Sequence, residues 1–276
     1  MERITRALER AHAQRQQLGD GRIAVLPAAA PPANPPAAAV DFTDTVVFRT
    51  PSIELSPAVR ENERILPAGA AGPHGGAYKM LRTQVLRRLD QLGANAIGIL
   101  SAGAGEGKTL TAINLAIAIA ADPARTALLV DFDLRNPSVA RRLHCAVEVG
   151  IEECLQTGRP ARDAMLKVQG YERLTIAPAR EAVAQSSELL GGTRTAEVVR
   201  ELRTRYANRI VIFDLPPVLQ ADDALAFTPN LPAGLLVIGE GRTRRDDVTR
   251  TLQLLADLPF VGSVLNGSRE PLATHY

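Results

Sequence analysis

The chain has 276 residues, room for about one or two domains, and its 46% hydrophobic and 22% charged residues are those of an ordinary globular protein, not a disordered one. Its 32 Lys and Arg stand against 30 Asp and Glu, a formal charge of +2 that gives no whole-chain footprint for nucleic acid. Cys145 and Cys154 form no Cys-x-x-Cys pair and there are only 4 histidines, which argues against a disulfide framework or a zinc site and points to a reducing cytoplasm.

In chain order, Met1 to Arg10 mixes Glu2 and Glu9 with arginines and has no apolar run of signal-peptide length. Ile4 and Leu8 at helical spacing predict a short polar helix over 2–18, ended by Gly19. Residues 27–39 are all Pro, Ala or Asn, which favours an extended linker. A mixed stretch over 40–66 leads to the Ala/Gly/Pro run 67–76, which reads as a second hinge. The expected organisation is therefore an N-terminal helix and linker region over 1–76, a domain over 77–266 and a tail over 267–276. No internal repeat is visible.

From Tyr78 the pattern alternates. A helical stripe runs over 78–92, and short apolar runs at 96–100, 127–130, 174–177, 210–213, 235–238 and 261–265 read as buried strands. Longer helical patterns lie at 108–121, 187–206 and 245–258. Such alternation predicts an α/β fold, a mostly parallel twisted sheet with helices on both faces. The most apolar stretch, 115–121, is stopped by Asp122 and Pro123, far short of the roughly 18–20 residues a bilayer span needs, so membrane attachment is expected through a partner.

The strongest motif is Ser101-Ala-Gly-Ala-Gly-Glu-Gly-Lys-Thr109, between a strand and a helix. Gly103, Ala104, Gly105, Glu106 and Gly107 would wrap backbone amides around phosphates, helped by the positive end of the next helix. Lys108 would reach the β and γ oxygens, and Thr109 would offer its hydroxyl to Mg²⁺. Ala102 stands where the strict pattern has glycine. Two further strands end in acids, Asp131 with Asp133 after one and Asp214 after another, at the sheet edge where ligands of open α/β folds collect. A phosphate loop facing three carboxylates has the parts phosphoryl transfer requires.

With those motifs in place, the chain resembles the bacterial tyrosine kinases of capsule and exopolysaccharide synthesis, the cytoplasmic phosphate-loop family called BY-kinases. The resemblance runs from about Tyr78 to Asn266 and rests on the phosphate loop, on Val130-Asp-Phe-Asp-Leu-Arg-Asn-Pro137, and on Ile212-Phe-Asp-Leu-Pro-Pro-Val218 with Asp222, Asp223 and Ala224. Smaller matches are Ser187-Glu-Leu-Leu190, Thr243-Arg-Arg-Asp-Asp-Val248 and Val264-Leu-Asn266. The resemblance implies ATP and Mg²⁺ as cofactors, catalytic roles for Lys108, Asp131 and Asp133, and a metal site of Thr109, Asp133 and Asp214. Asp131 would organise a metal-bound water or accept the tyrosine proton, and Asn266 would contact adenine. It also implies autophosphorylation that regulates polysaccharide polymerisation and export, and a separate membrane-embedded co-polymerase as activator.

Two departures stand out. The family's Glu-x-x-Arg-x-x-Arg helix, which packs subunits into a ring, aligns with Gly76, Lys79 and Arg82, so its acid is missing and homo-oligomerisation through it stays open. Relatives end in a tyrosine cluster, whereas 267–276 holds Tyr276 alone as phospho-acceptor; Tyr78, Tyr171 and Tyr206 read as packing residues. The alternatives are a nucleotide-switched assembly ATPase, opposed by Gly103 where those relatives carry a lysine, and an ATP-binding scaffold without kinase output.

Overall fold

A computed structural model describes residues 50–72 and 74–268. The helix expected over 2–18, the 27–39 linker and Tyr276 lie outside the described residues.

Eight strands among the described residues form one sheet: β1 (Ser52–Ile53), β2 (Ala96–Ser101), β3 (Thr126–Asp131), β4 (Leu166–Val168), β5 (Leu174–Ala177), β6 (Arg209–Asp214), β7 (Gly234–Gly239) and β8 (Phe260–Asn266). Their order is β1-β4-β5-β3-β6-β2-β7-β8, and every neighbouring pair is parallel except β4 with β5. The central strands are apolar almost without interruption because both faces are covered. Ile97, Ile99, Leu129, Ile212 and Val237 belong to the core on one face. Leu100, Leu128, Val130, Phe213 and Leu236, at the alternate positions, belong to the core on the other. Gly98 in β2 serves close packing, since a Cβ there would lie 2.7 Å from a Leu231 methyl and 2.8 Å from one of Leu215.

The helices are α1 (Pro57–Asn62), α2 (Gly75–Gln91), α3 (Lys108–Ala120), α4 (Val139–Arg142), α5 (Ile151–Thr157), α6 (Ser186–Leu190), α7 (Thr193–Thr204), α8 (Asp223–Phe227) and α9 (Arg245–Leu254). The single helix expected over 187–206 is two, because Gly191 closes α6 and Gly192 turns to extended backbone ahead of α7. Every residue of α3 but Leu110 is buried. It packs against β3 on one side and α2 on the other, which explains a helix apolar around its whole circumference.

Among the described residues, the stretch ahead of Gly76 packs against the core of the sheet. Residues 50–72 belong to the same compact unit as the sheet. Ser56 caps α1 by accepting from Val59 N at 3.2 Å, and Leu55, Ile65 and Leu66 are buried in the core. Asn114, a polar residue inside apolar α3, explains why this stretch docks. Its Oδ1 accepts from Leu66 N (2.9 Å) and its Nδ2 donates to Arg64 O (3.0 Å), while Tyr171 donates its hydroxyl to Leu66 O at 2.8 Å. The glycines that suggested a hinge make a tight turn instead: Gly69 has φ 77°, and a Cβ on Gly75 would stand 2.1 Å from Ala70 O. Composition alone does not separate a hinge from such a turn.

Candidate functional site

The sheet order brings three strand ends together. β6 lies between β3 and β2, and its last residue, Asp214, is in register with Asp131 at the end of β3. β2 ends at Ser101, where the glycine-rich loop starts and runs into α3. The loop expected to bind phosphate and the acids expected to face it thus share one edge of the sheet.

Within the loop, Gly105 (φ 75°) and Gly107 (φ 93°) adopt left-handed backbone, and the latter starts α3. Ala102 has no such φ; it is buried and its N donates to Glu106 Oε2 at 3.1 Å, so a methyl group is accommodated where the strict motif has glycine. Ser101 Oγ donates to Gly103 O at 2.9 Å. The loop is also held from outside: Asn266 Nδ2 donates to Glu106 O (2.9 Å), and Arg242 Nη1 donates to Gly105 O (3.0 Å). A Cβ on Gly107 would sit 1.7 Å from Asn266 Nδ2, so this position requires glycine for space as well as for φ.

Lys108 is 6% exposed and its Nζ donates to Asp214 Oδ1 (2.9 Å) and to Asp133 Oδ2 (3.2 Å). Burial opposes its charge, but the carboxylates of Asp214, Asp133 and Asp131 outweigh that and raise its pKa. Thr109 Oγ1 donates to the other oxygen of Asp214 at 2.6 Å and lies 2.8 Å from Ser138 Oγ. Asp133 is pushed above the usual carboxylate range by burial, against the pull of Lys108.

Asp131 differs from its neighbours. It is fully buried and accepts backbone N–H groups from Ser138 and Val139, both on Oδ2 at 2.9 Å, and from Asp133 on Oδ1 at 3.2 Å. Burial and the nearby charge of Asp214 push its carboxyl up to about 7 despite those amides. Strand geometry ends at Asp131, so Asp133 is placed by a turn that Asp131 itself holds. A cavity of about 280 Å³ is lined by Lys108, Thr109, Asp133, Arg135 and Ser138 among others, and Asp131 is not on its wall. A second cavity, about 890 Å³, is lined by Gly105, Glu106, Gly239, Arg242 and Asn266 among others.

Among the described residues there is no cluster of three or more His, Cys, Asp or Glu able to hold a metal ion. Two carboxylates and a hydroxyl, Asp133, Asp214 and Thr109, are nevertheless a donor set that suits Mg²⁺, which keeps most of its waters. Sequence reasoning gave no role to Ser138, Arg135 or Arg242. The signal for the first two was the run Arg135-Asn-Pro-Ser138 directly after the acidic pair; nothing in the sequence ties Arg242 to a loop 137 residues away. Of the expected packing tyrosines, Tyr171 is buried, whereas Tyr206 is 46% exposed beneath Arg209, whose guanidinium carbon is 4.1 Å from the ring centre. In the helix expected to pack subunits, Gly76 and Lys79 are exposed, and Arg82 donates to Ala118 O (3.2 Å) at the end of α3.

No family model matches the chain. Individual proteins do. The tyrosine-protein kinase YwqD of Bacillus subtilis is 27% identical over 194 residues, covering 70% of this chain and 80% of that protein. The succinoglycan biosynthesis transport protein ExoP of Rhizobium meliloti is 35% identical over 153 residues, 54% of this chain but 19% of that much longer protein. Among solved structures, the kinase domain of the Escherichia coli tyrosine kinase ETK superposes with a TM-score of 0.64 at 25% identity, covering 72% of this chain and 77% of that one. The chain is thus similar, over about 70% of its length, to bacterial tyrosine-protein kinases, and in its own site the loop lysine Lys108 lies between Asp214 at the end of β6 and Asp133 in the turn after β3.

Proposed function

We propose that the protein is an ATP-dependent protein-tyrosine kinase that phosphorylates itself and regulates the polymerisation and export of a capsular or exopolysaccharide. The observation that carries this reading is Lys108, held at 2.9 and 3.2 Å between Asp214 and Asp133 at the start of α3, with Thr109 on the second oxygen of Asp214. The names of YwqD, as a tyrosine-protein kinase, and of ExoP, as a polysaccharide biosynthesis transport protein, support its two halves.

The chemistry needs position and charge more than covalent help. Loop amides and the α3 N-terminus would hold the phosphates, with Lys108 on the terminal ones. Thr109, Asp133 and Asp214 would hold Mg²⁺, which when bound neutralises charge on the β and γ oxygens. Asp133 is on the cavity wall and so would orient the tyrosine hydroxyl. Asp131, saturated by amides, would act through the shape of the turn. This divides between two residues the work that the family resemblance gave to Asp131 alone.

No helix among the described residues is long and apolar enough to cross a membrane. A separate membrane-embedded co-polymerase is the partner this reading requires, with the kinase peripheral to the inner membrane. Tyr276 is the proposed acceptor in the tail.

The full chain incubated with Mg-ATP acquires phosphotyrosine, detected by mass spectrometry, and Lys108→Met reduces it by about 10²-fold or more. Release of phosphate without labelled protein would select a switch ATPase, and nucleotide binding with neither product a scaffold.

A further inference from the structure

Three segments that the sequence singles out meet at one buried carboxylate. Asp223, at the start of α8, has no solvent exposure. Its Oδ2 accepts from Arg135 Nη2 at 2.9 Å and from Arg135 Nε at 3.2 Å, and its Oδ1 accepts the hydroxyl of Ser186, the first residue of α6. Next to it, Ser187 donates to Asp222 at 2.9 Å. Asp223 therefore joins the turn after β3, the α6 segment and the stretch after β6.

A buried ion pair contributes little net stability, and an apolar pair would tie these segments as well. Moreover, this pair is buried at one end only. The Arg135 side chain is 51% exposed while Asp223 is covered, so the acid holds the guanidinium from behind. Nε and Nη2 are engaged, and Nη1 has no hydrogen bond to a described residue, which leaves its N–H donors for a ligand. Arg135 lines the 280 Å³ cavity together with Lys108, Thr109 and Asp133.

Charge at the cavity sharpens the point. Three buried carboxylates, Asp131, Asp133 and Asp214, surround a single buried lysine. A triphosphate arriving there adds more negative charge to a site already rich in it. A fixed guanidinium is the side chain best suited to take phosphate oxygens, because its fork is planar and permanently charged.

We propose that Arg135 binds the terminal phosphate of the nucleotide and that Asp223 is the positioning residue that aims it, with Ser186 holding the second oxygen of Asp223. The proposal rests on the nucleotide site described above but not on tyrosine as the acceptor.

Calorimetric titration of the full chain with Mg-ADP and with a non-hydrolysable Mg-ATP analogue tests it. Arg135→Ala leaves Mg-ADP affinity within about twofold and weakens the analogue about 10-fold, with Arg135→Lys in between. Asp223→Asn weakens the analogue about threefold, and adds less than about twofold in the Arg135→Ala background, because it acts through that arginine. Where Asp223→Asn fails to fold, Ser186→Ala supplies the same readout, about twofold in the same direction.

Analogue affinity unchanged in Arg135→Ala, equal loss of both nucleotides, or an Asp223 effect that persists without Arg135 would each overturn the proposal. A wild-type chain that binds the analogue and responds as stated, yet makes no phosphotyrosine, leaves the proposal standing and removes the kinase reading. A wild-type chain that binds neither nucleotide removes both.

Discussion

β3 and β6 lie side by side and each ends in a fully buried aspartate, Asp131 in register with Asp214, yet the two ends are built differently. Asp214 is satisfied by side chains, Lys108 on one oxygen and Thr109 on the other. Asp131 is satisfied by the backbone of its own turn, through the N–H groups of Asp133, Ser138 and Val139. Side-chain partners can move to accommodate a ligand, whereas backbone partners define where the turn goes. The first end is suited to exchange a lysine for metal and phosphate; the second shapes the loop that carries Asp133, Arg135 and Ser138.

The most damaging way to break this contrast is at Asp214. Asp214→Asn leaves Asp133 as the one carboxylate hydrogen-bonded to Lys108 and weakens binding of Mg-nucleotide by about 10²-fold, measured by calorimetry. The same change acts on the neighbouring strand end. After burial, the charge of Asp214 is the largest factor holding the Asp131 carboxyl at about 7, so in the variant Asp131 titrates lower, as carbon-detected NMR of the carboxyl would report. An Asp131 titration unmoved by the substitution would show that the two ends are electrostatically independent.

The second test concerns pH. Folded Asp131 keeps its proton up to about 7, whereas an unfolded aspartate loses it near 3.8. Across that window the native state binds the extra proton, so this group makes stability fall as pH rises from about 4 to about 7, with the cost fully present above. Asp131→Asn removes the slope. Between pH 5 and pH 8 the wild type loses more stability in urea unfolding than the variant does, by as much as about 2.5 kcal/mol. Asp133 is shifted in the same direction but is present in both proteins, so its contribution cancels in the difference. Parallel pH profiles would mean that the amides of Ser138 and Val139 keep Asp131 ionised throughout.

How much of this was legible in the sequence follows from the range of the interactions. Six strands are readable as short apolar runs, five of them buried in the sheet interior and β8 at its edge, and the glycine-rich loop because its glycines are needed locally, at Gly105 and Gly107 for φ. β1 and β4 are two and three residues long and alternate too little to register as strands. The docking of residues 50–72 depends on Asn114, which in sequence is one polar residue in an apolar helix and in the fold is the group that 64–66 satisfies. The site acids were found by their place at strand ends. Their division of labour was not, because what separates Asp131 from Asp214 is whether backbone or side chains reach each carboxylate, and those partners come from up to 106 residues away. Arg135 and Asp223 were both visible in motifs, but 88 residues apart nothing marked them as a pair.

The end of β8 supplies a third case and the smallest effect. Asn266 was expected at the adenine, and it does border the 890 Å³ cavity beside the loop. Its Nδ2, however, donates to Glu106 O at 2.9 Å and packs against Gly107, so its contact is with the loop backbone. Losing one neutral hydrogen bond of this kind costs about 1 kcal/mol, which corresponds to about a fivefold loss of nucleotide affinity in Asn266→Ala. The base decides between the two roles. A residue that reads adenine loses discrimination between ATP and GTP when truncated, because the ATP affinity falls and the GTP affinity does not. A residue that holds the phosphate loop weakens both nucleotides by the same factor, because both present the same triphosphate to it. The hydrogen bond to Glu106 predicts the second outcome, and titrating the variant with each nucleotide separates the two with no need for a kinase assay.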